Sequence, residues 1–210
     1  MKTIKFKNGQ ILYGYKLDEL EEEIRESVIE QQRDMSLEYF WGEDAINSLK
    51  GFVEHFNCTL SDYSIDFLQK GGSSVKFDIP YNMEDITEEE LREYIESMGE
   101  YDKETLRGAG DCKFTGYCAD DDASDGARKE YFSGERDLHE ILYAGYEEWH
   151  SSVQLDYEYQ LSDERIIEDI EANDYLFDEE GDMLPVLYHT NKNEIVKVTY
   201  GTKEHEVELV

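Results

Sequence analysis

Alternating and amphipathic segments follow one another along this chain in an order that few folds can accommodate. Asn8-Gly9, a strong hairpin signal, separates two strand-like runs near the start. A second pair of alternating runs flanks Gly71-Gly72, and a third pair lies near the end of the chain. Between them, apolar residues recur at helical spacing. The pattern predicts an α+β fold, in which an antiparallel β-sheet built from hairpins has several amphipathic helices packed on it.

Two apolar stripes predict consecutive helices near the N-terminus, with Trp41 between them as a core anchor. Thr87 and Glu90 have the spacing of a capping box at the start of a later helix. Ser162 is a candidate N-cap for a short helix that carries a further set of isoleucines. The two stripes consist of Leu17, Leu20, Ile24 and Val28, and of Ile46, Leu49, Phe52, Val53 and Phe56.

Two segments have the period of two that is typical of strands. Residues 153–161 alternate Val, Leu, Tyr, Tyr and Leu with other residues, which predicts a long strand. The run "CKFTGYC" would likewise place Cys112 and Cys118 on one face, as small buried thiols. The aspartates between Asp120 and Asp125 would then form an exposed loop after that strand.

No internal repeat and no linker divides the sequence, so we expect a single domain, residues 1–210. An N-terminal subregion, 1–100, and an acidic C-terminal subregion, 101–210, are the subdivision that this composition allows. The chain has no apolar run of membrane-spanning length and no leader-like start, and it has three cysteines. We therefore expect a soluble cytoplasmic protein with reduced thiols.

Charge restricts the choice of partner. The 52 acidic and 20 basic residues leave a formal net charge of −32. Such a charge repels nucleic acid and anionic membranes and attracts basic proteins, so direct nucleic-acid binding is not expected. The acidity is concentrated between Glu140 and Asn191, where Arg165 is the single base among fifteen acids.

The aspartate cluster does not match a calcium-binding loop. With Asp121 at the first position, Ala123 and Phe132 occupy positions that need oxygen ligands. Cys112 and Cys118 are spaced too widely for a zinc knuckle, and no second Cys/His pair follows at zinc spacing. Nucleophile elbows and phosphate-binding glycine loops are absent as well. We therefore predict no catalytic residue, no metal ligand and no cofactor.

The acidic surface itself is the predicted site. Glu164, Glu168 and Glu171 follow one helix face at i, i+4 and i+7, and this row can occupy a groove built for phosphates. Nearby tyrosines can stack on guanidinium groups of the partner. The predicted partner-binding residues are Asp120, Asp121, Asp122, Asp125, Asp156, Glu158, Glu164, Glu168, Glu171, Asp174, Asp178, Glu179, Glu180, Asp182, Tyr157, Tyr159 and Tyr175.

Several segments resemble a family of uncharacterised phage and prophage proteins. They are "LDELEEEIRESVIEQQRD", "WGEDAINSLKGFVEHFNCTLSDYSID", the central "GDCKFTG" and the later "DYLFDEEGDM". Cys112-Lys113 departs from the small residues of the family's central segment. The resemblance implies a mobile-element origin, and some members of the family are labelled as antitoxins.

Together, charge and resemblance favour a phage-encoded, non-enzymatic inhibitor of a host defence protein, of the anti-CRISPR or anti-restriction type. Its partner would be a CRISPR effector or restriction nuclease with a channel rich in Lys and Arg, which the acidic surface occupies in place of nucleic acid. Two alternatives remain open: an antitoxin or regulatory module for a co-encoded basic toxin, and an enzyme with a divalent-metal carboxylate site around Asp120.

Overall fold

The computed structural model describes residues 2–6, 11–38, 42–68, 70–110, 113–184, 196–200 and 203–209. In chain order its elements are β1 (Lys2–Phe6), β2 (Ile11–Gly14), α1 (Glu22–Glu38), α2 (Gly42–His55), β3 (Thr59–Ser64), β4 (Ser74–Asp78), α3 (Tyr81–Glu84), α4 (Glu88–Ser97), α5 (Ala119–Ser133), α6 (Leu138–Gln160), α7 (Asp163–Ala172), β5 (Val196–Tyr200) and β6 (Lys203–Leu209). Helix and strand are therefore mixed, as predicted, with helix in the majority.

The contacts divide the chain into two compact units. Unit 1 combines the two ends of the chain, residues 1–39 and 160–210, whereas unit 2 is the continuous middle, residues 40–159. The subdivision expected near residue 100 lies inside unit 2.

Unit 1 contains an antiparallel sheet in the order β2-β1-β6-β5, so the last strand of the chain lies beside the first. Both predicted terminal hairpins are confirmed, although the Asn8-Gly9 turn lies outside the described residues. Near the acidic turn at Gly181, Phe177 forms single antiparallel bridges with Tyr15 and with Met183.

Helices α1 and α7 pack together in unit 1 through the apolar residues that the sequence predicted, although Leu17 and Leu20 of the first stripe precede α1. Val28 of α1 and Ile166 and Ile170 of α7 are buried in one cluster with Leu17. Ser162 caps α7 as expected, because its hydroxyl accepts a hydrogen bond from the Arg165 N–H at 3.2 Å. The Ser162 cap therefore determines where α7 begins, and Ile166 and Ile170 determine which face of α7 packs against the core of unit 1.

Unit 2 is mostly helical, with the hairpin β3-β4 packed against its core. The predicted hairpin, the apolar stripe of α2 and the Thr87–Glu90 capping box of α4 are all confirmed. The core joins α2, α4, α5 and α6, and its largest fully buried side chain is that of Trp149. Trp41, the other predicted anchor, lies outside the described residues.

Two predicted strands are wrong. Residues 153–160 continue α6, with Val153 buried and Leu155 exposed to 67%. The alternation of apolar residues also fits a helix, because residues four positions apart share a helix face. Val153 and Tyr157 are such a pair, and so are Leu155 and Tyr159. Residues 113–116 form bends instead of a strand, Cys118 precedes α5 with an exposed side chain, and Cys112 lies outside the described residues.

The expected exposed loop of aspartates is wrong as well, because Asp120 to Asp125 form the first two turns of α5. Ala119, Ala123 and Ala127 turn one face of this helix into the core. A Cβ added to Gly126 would lie 2.5 Å from the carbonyl oxygen of Ala144 in α6. The absence of a side chain at Gly126 therefore lets α5 and α6 approach each other closely.

Candidate partner-binding surface

Helix α7 presents a row of carboxylates to solvent. Glu164, Glu168 and Glu171 are exposed, while Ile166 and Ile170 are buried on the other side. Successive members of the row are four and three residues apart, which corresponds to a rise of about 6 and about 4.5 Å along the helix axis. Glu164 and Glu171 have no ion pair among the described residues. Glu164 and Glu171, at the two ends of the row, are therefore open to a cationic partner.

The predicted acids that follow α7 have two different environments. Asp174, Glu179, Glu180 and Asp182 are exposed. Asp178 is buried, and its Oδ1 accepts hydrogen bonds from the backbone N–H groups of Glu180 and Asp182 at 3.0 and 2.9 Å. It stabilises the turn and is not available to a partner. Tyr175 is half-buried against the apolar cluster of unit 1.

The acids and tyrosines at the end of α6 are only partly exposed. Asp156 accepts a hydrogen bond from the Tyr117 hydroxyl at 3.0 Å, and Glu158 accepts one from Gln154 at 2.9 Å. Tyr157 stacks on Phe67, with ring centroids 5.9 Å apart. Of this group, Tyr159, exposed to 43%, and Glu158 offer the most surface to a partner.

Asp120, the first acid of the predicted cluster, is completely buried. Its Oδ2 accepts hydrogen bonds from the consecutive backbone N–H groups of Phe114, Thr115 and Gly116 at 3.1, 2.6 and 3.1 Å. Its Oδ1 accepts hydrogen bonds from the Thr115 hydroxyl and from the Ser48 hydroxyl of α2. The backbone between Lys113 and Tyr117 thus encloses the chain's own carboxylate in place of an external anion.

Asp125 is paired inside unit 2. The Arg128 guanidinium, exposed to 1%, donates to its carboxylate at 3.0 Å and lies 4.7 Å from the centre of the Tyr101 ring. The Gly108 N–H donates to the same oxygen at 2.9 Å. Burial raises the pKa of Asp125, and Arg128 offsets part of that effect. Like Asp120, this residue stabilises the fold and does not face a partner.

The other two predicted acids of α5 are partly accessible to solvent. Asp121 and Asp122 are half-buried, and Asp122 accepts a hydrogen bond from Ser152 of α6 at 2.6 Å. Burial, together with the nearby Asp156 and Asp122, raises the pKa of the Cys118 thiol. Burial also raises the pKa of the Tyr117 hydroxyl and of Cys58, the latter to about 11. Cys58 and Cys118 are therefore protonated and weakly nucleophilic at neutral pH.

Ser73 and His150 form the contact that most resembles a nucleophile and its base. The Ser73 hydroxyl lies 2.8 Å from His150 Nε2, which also lies 3.0 Å from the Asp66 carbonyl oxygen. A carbonyl can only accept, so Nε2 carries the proton and cannot take one from serine. The serine hydroxyl in turn donates to that carbonyl and accepts from the Asp66 N–H. The arrangement stabilises a loop.

The described residues contain no group of three or more His, Cys, Asp or Glu side chains that could hold a metal ion. None of the described helices is long and apolar enough to cross a membrane. Two carboxylates of the metal-site alternative, those of Asp120 and Asp125, are engaged by the internal contacts above.

A second acidic row was missed by the sequence analysis although its signal was present. Glu89, Glu93 and Glu96 of α4 have the same i, i+4, i+7 spacing and are exposed. Glu96 lies 3.5 Å from Arg92, so this row is partly neutralised by its own helix. No signal in the sequence revealed the cavity of about 190 Å³ in unit 1 that joins Leu17 and Asp18 to the end of α7.

Comparisons with protein-family models, with curated proteins and with solved structures found no match to this chain.

Proposed function

We propose that this chain is a non-enzymatic inhibitor that binds a basic, nucleic-acid-binding protein through the carboxylate row of α7. The observation that carries the proposal is the exposure of Glu164, Glu168 and Glu171 on one face of a helix whose opposite face is anchored in an apolar cluster. A row fixed in this way presents negative charges at spacings similar to those of phosphates along a nucleic-acid strand. It fits a groove lined by Lys and Arg.

The energetics of α7 also favour a cationic partner. Like charges at i, i+4 destabilise a helix, and Glu171 lies at the C-terminal end, where the helix dipole disfavours an anion. The last turn of α7 contains no basic residue to offset this. Lys and Arg side chains of a partner would relieve both effects, so part of the binding free energy comes from repulsion that is present in the free protein.

The charge of unit 1 supports fast association with such a partner. Unit 1 has 23 acidic and 10 basic residues, a net charge of −13, and unit 2 has 29 and 10, a net charge of −19. Charge of this magnitude steers a basic partner toward the protein and makes association sensitive to salt. We infer from the resemblance to phage and prophage proteins that the target is a bacterial CRISPR effector or restriction nuclease, and that inhibition takes place in the host cytoplasm.

Competition with DNA tests this proposal. The purified full chain is added to CRISPR nucleases and restriction enzymes, and displacement of labelled DNA is measured between about 50 and 300 mM salt. We expect displacement that weakens as salt rises. The triple variant Glu164→Gln, Glu168→Gln, Glu171→Gln should bind its target about tenfold more weakly, because three ion pairs are lost.

The matched control is the triple variant Glu89→Gln, Glu93→Gln, Glu96→Gln, which removes the same charge at the same spacing from α4. We expect its affinity to stay within about twofold of the unmodified chain. Equal weakening by both variants would show that net charge, and not the α7 row, determines binding. Displacement that does not respond to salt, or no displacement from any of these nucleases, would contradict the proposal.

A further inference from the structure

The acidic row of α7 ends at a cavity in unit 1 that has an unusual combination of surfaces. The cavity, about 190 Å³, lies between the end of α7 and the short 3-10 turn Leu17–Glu19, and Glu171 belongs to both the row and the cavity. Its volume is below the range of about 300–1,000 Å³ that is typical of small-molecule sites. It is therefore suited to a single side chain or a group of similar size.

The lining combines an apolar part, an aromatic part and an acidic part. Leu17 and Ile170 are buried members of the unit 1 core, and they supply an apolar surface. Tyr175 supplies an aromatic ring that is half-buried against the same core. This part of the lining can contact the methylene stem of a long side chain, which such side chains prefer to bury while their charged ends stay polar.

The polar part of the lining is strongly negative. Asp18, Glu171 and Asp174 contribute three carboxylates and Lys16 one ammonium, so the lining has a net charge of −2. Among the described residues, none of these three carboxylates is in an ion pair. The cavity also adjoins the C-terminal end of α7, where the helix dipole favours a cation.

We propose that this cavity binds an arginine side chain of the basic partner, an assignment that rests on the function proposed above. A guanidinium group matches the lining better than an ammonium group, because it is planar and can stack on a tyrosine ring while it donates two hydrogen bonds to a carboxylate. The arginine would anchor one end of the complex, and the row of α7 would contact further basic residues of the same groove.

The test uses the full chain and a defined probe, N-acetyl-L-arginine methylamide, in a titration followed by amide NMR shifts. We expect saturable shifts confined to residues 16–18 and 170–175. The uncharged citrulline analogue should produce no such shifts, and the lysine analogue should bind at least about threefold more weakly, because it cannot stack and donate in the same plane. Equal binding of either analogue would overturn the assignment.

Two variants test the lining separately. Asp174→Asn should weaken probe binding about threefold, and it keeps the fold because asparagine tolerates the positive φ of +52° at this position. Its matched control is Asp182→Asn, an exposed acid of unit 1 outside the cavity, which should have no effect. Tyr175→Leu should weaken binding about threefold by removing the aromatic face while it retains apolar packing. Unchanged probe binding in Asp174→Asn would overturn the proposal.

The two proposals fail in different ways. Nuclease binding that depends on Glu164 and Glu168, together with an absence of probe shifts around the cavity, would overturn the arginine assignment and leave the proposed function intact. Probe binding in the cavity without any nuclease binding would support the arginine site and contradict the proposed function.

Discussion

Helices α5 and α7 are both rich in acidic residues, yet the two helices use those residues in opposite ways. In α5 the carboxylates of Asp120 and Asp125 are buried and fully engaged by groups of unit 2. In α7 the carboxylates of Glu164, Glu168 and Glu171 face solvent. Acidic residues therefore stabilise the fold in α5, whereas in α7 they are exposed and form the surface that we propose binds a partner.

The difference follows from what surrounds each helix. Helix α5 packs against α2 and α4 and approaches α6 closely at Gly126, so most of its circumference is covered and its acids need internal donors. Helix α7 buries only a stripe that includes Ile166 and Ile170. The fraction of the helix surface that packs against other elements, and not the number of acids, decides whether a carboxylate is structural or available to a partner.

Removing the buried cation of α5 should have the largest effect. Arg128→Met leaves Asp125 buried without its ion-pair partner and should lower the free energy of unfolding by about 3–5 kcal/mol. Arg165→Met on α7 removes the exposed pair with Asp169, 3.7 Å away, and should cost less than about 0.5 kcal/mol. Urea unfolding at pH 7 measures both values. Similar losses in the two variants would contradict the distinction between the helices.

Removing the charge of the enclosed carboxylate should have the next largest effect. Asp120→Asn keeps one oxygen for the backbone N–H groups of Phe114, Thr115 and Gly116 but removes the negative charge that strengthens these hydrogen bonds, and should lower the free energy of unfolding by about 2–4 kcal/mol. Glu164→Gln is the matched change on α7 and should change it by less than about 0.5 kcal/mol. Thermal unfolding of both variants in one buffer checks this, and a stable Asp120→Asn protein would show that the carboxylate is not structural.

The smallest effect concerns the thiol at the start of α5. Because the pKa of Cys118 is raised, its alkylation rate should increase with pH through a midpoint above the value of an ordinary thiol, about 8.5. Asp122→Asn removes one of the nearby anions and should make alkylation at pH 8 about threefold faster. Peptide mapping follows Cys118 separately from the other cysteines.

The control for this measurement is Asp85→Asn, an exposed acid of unit 2 that is not among the causes of the raised pKa. We expect it to leave the rate unchanged. A midpoint below about 8.5 would indicate an activated thiol and would contradict the electrostatic description of the start of α5.

The hairpins and the helix starts could be predicted because their signals lie in adjacent residues. Thr87 reaches Glu90 three positions away, and Ser162 reaches Arg165 at the same separation. The segment 153–160 could not be assigned from its own residues, because a period of two over so few positions also fits a helix. There, continuation of the helix from Leu138 and packing of Trp149 and Val153 decided the structure.

Adjacent residues were sufficient to predict the α7 part of the candidate site. Helical period and capping are local properties, and they predicted a helix that begins after Ser162, buries Ile166 and Ile170 and exposes a row of glutamates. Which other acids remain available depends on the tertiary structure. Asp120 is enclosed by a hydroxyl from Ser48, 72 residues away, and the cavity at the end of α7 needs Leu17 from the other end of the chain. Burial and enclosure depend on groups that folding brings together from distant positions in the sequence. The spacing of neighbouring residues therefore cannot predict them.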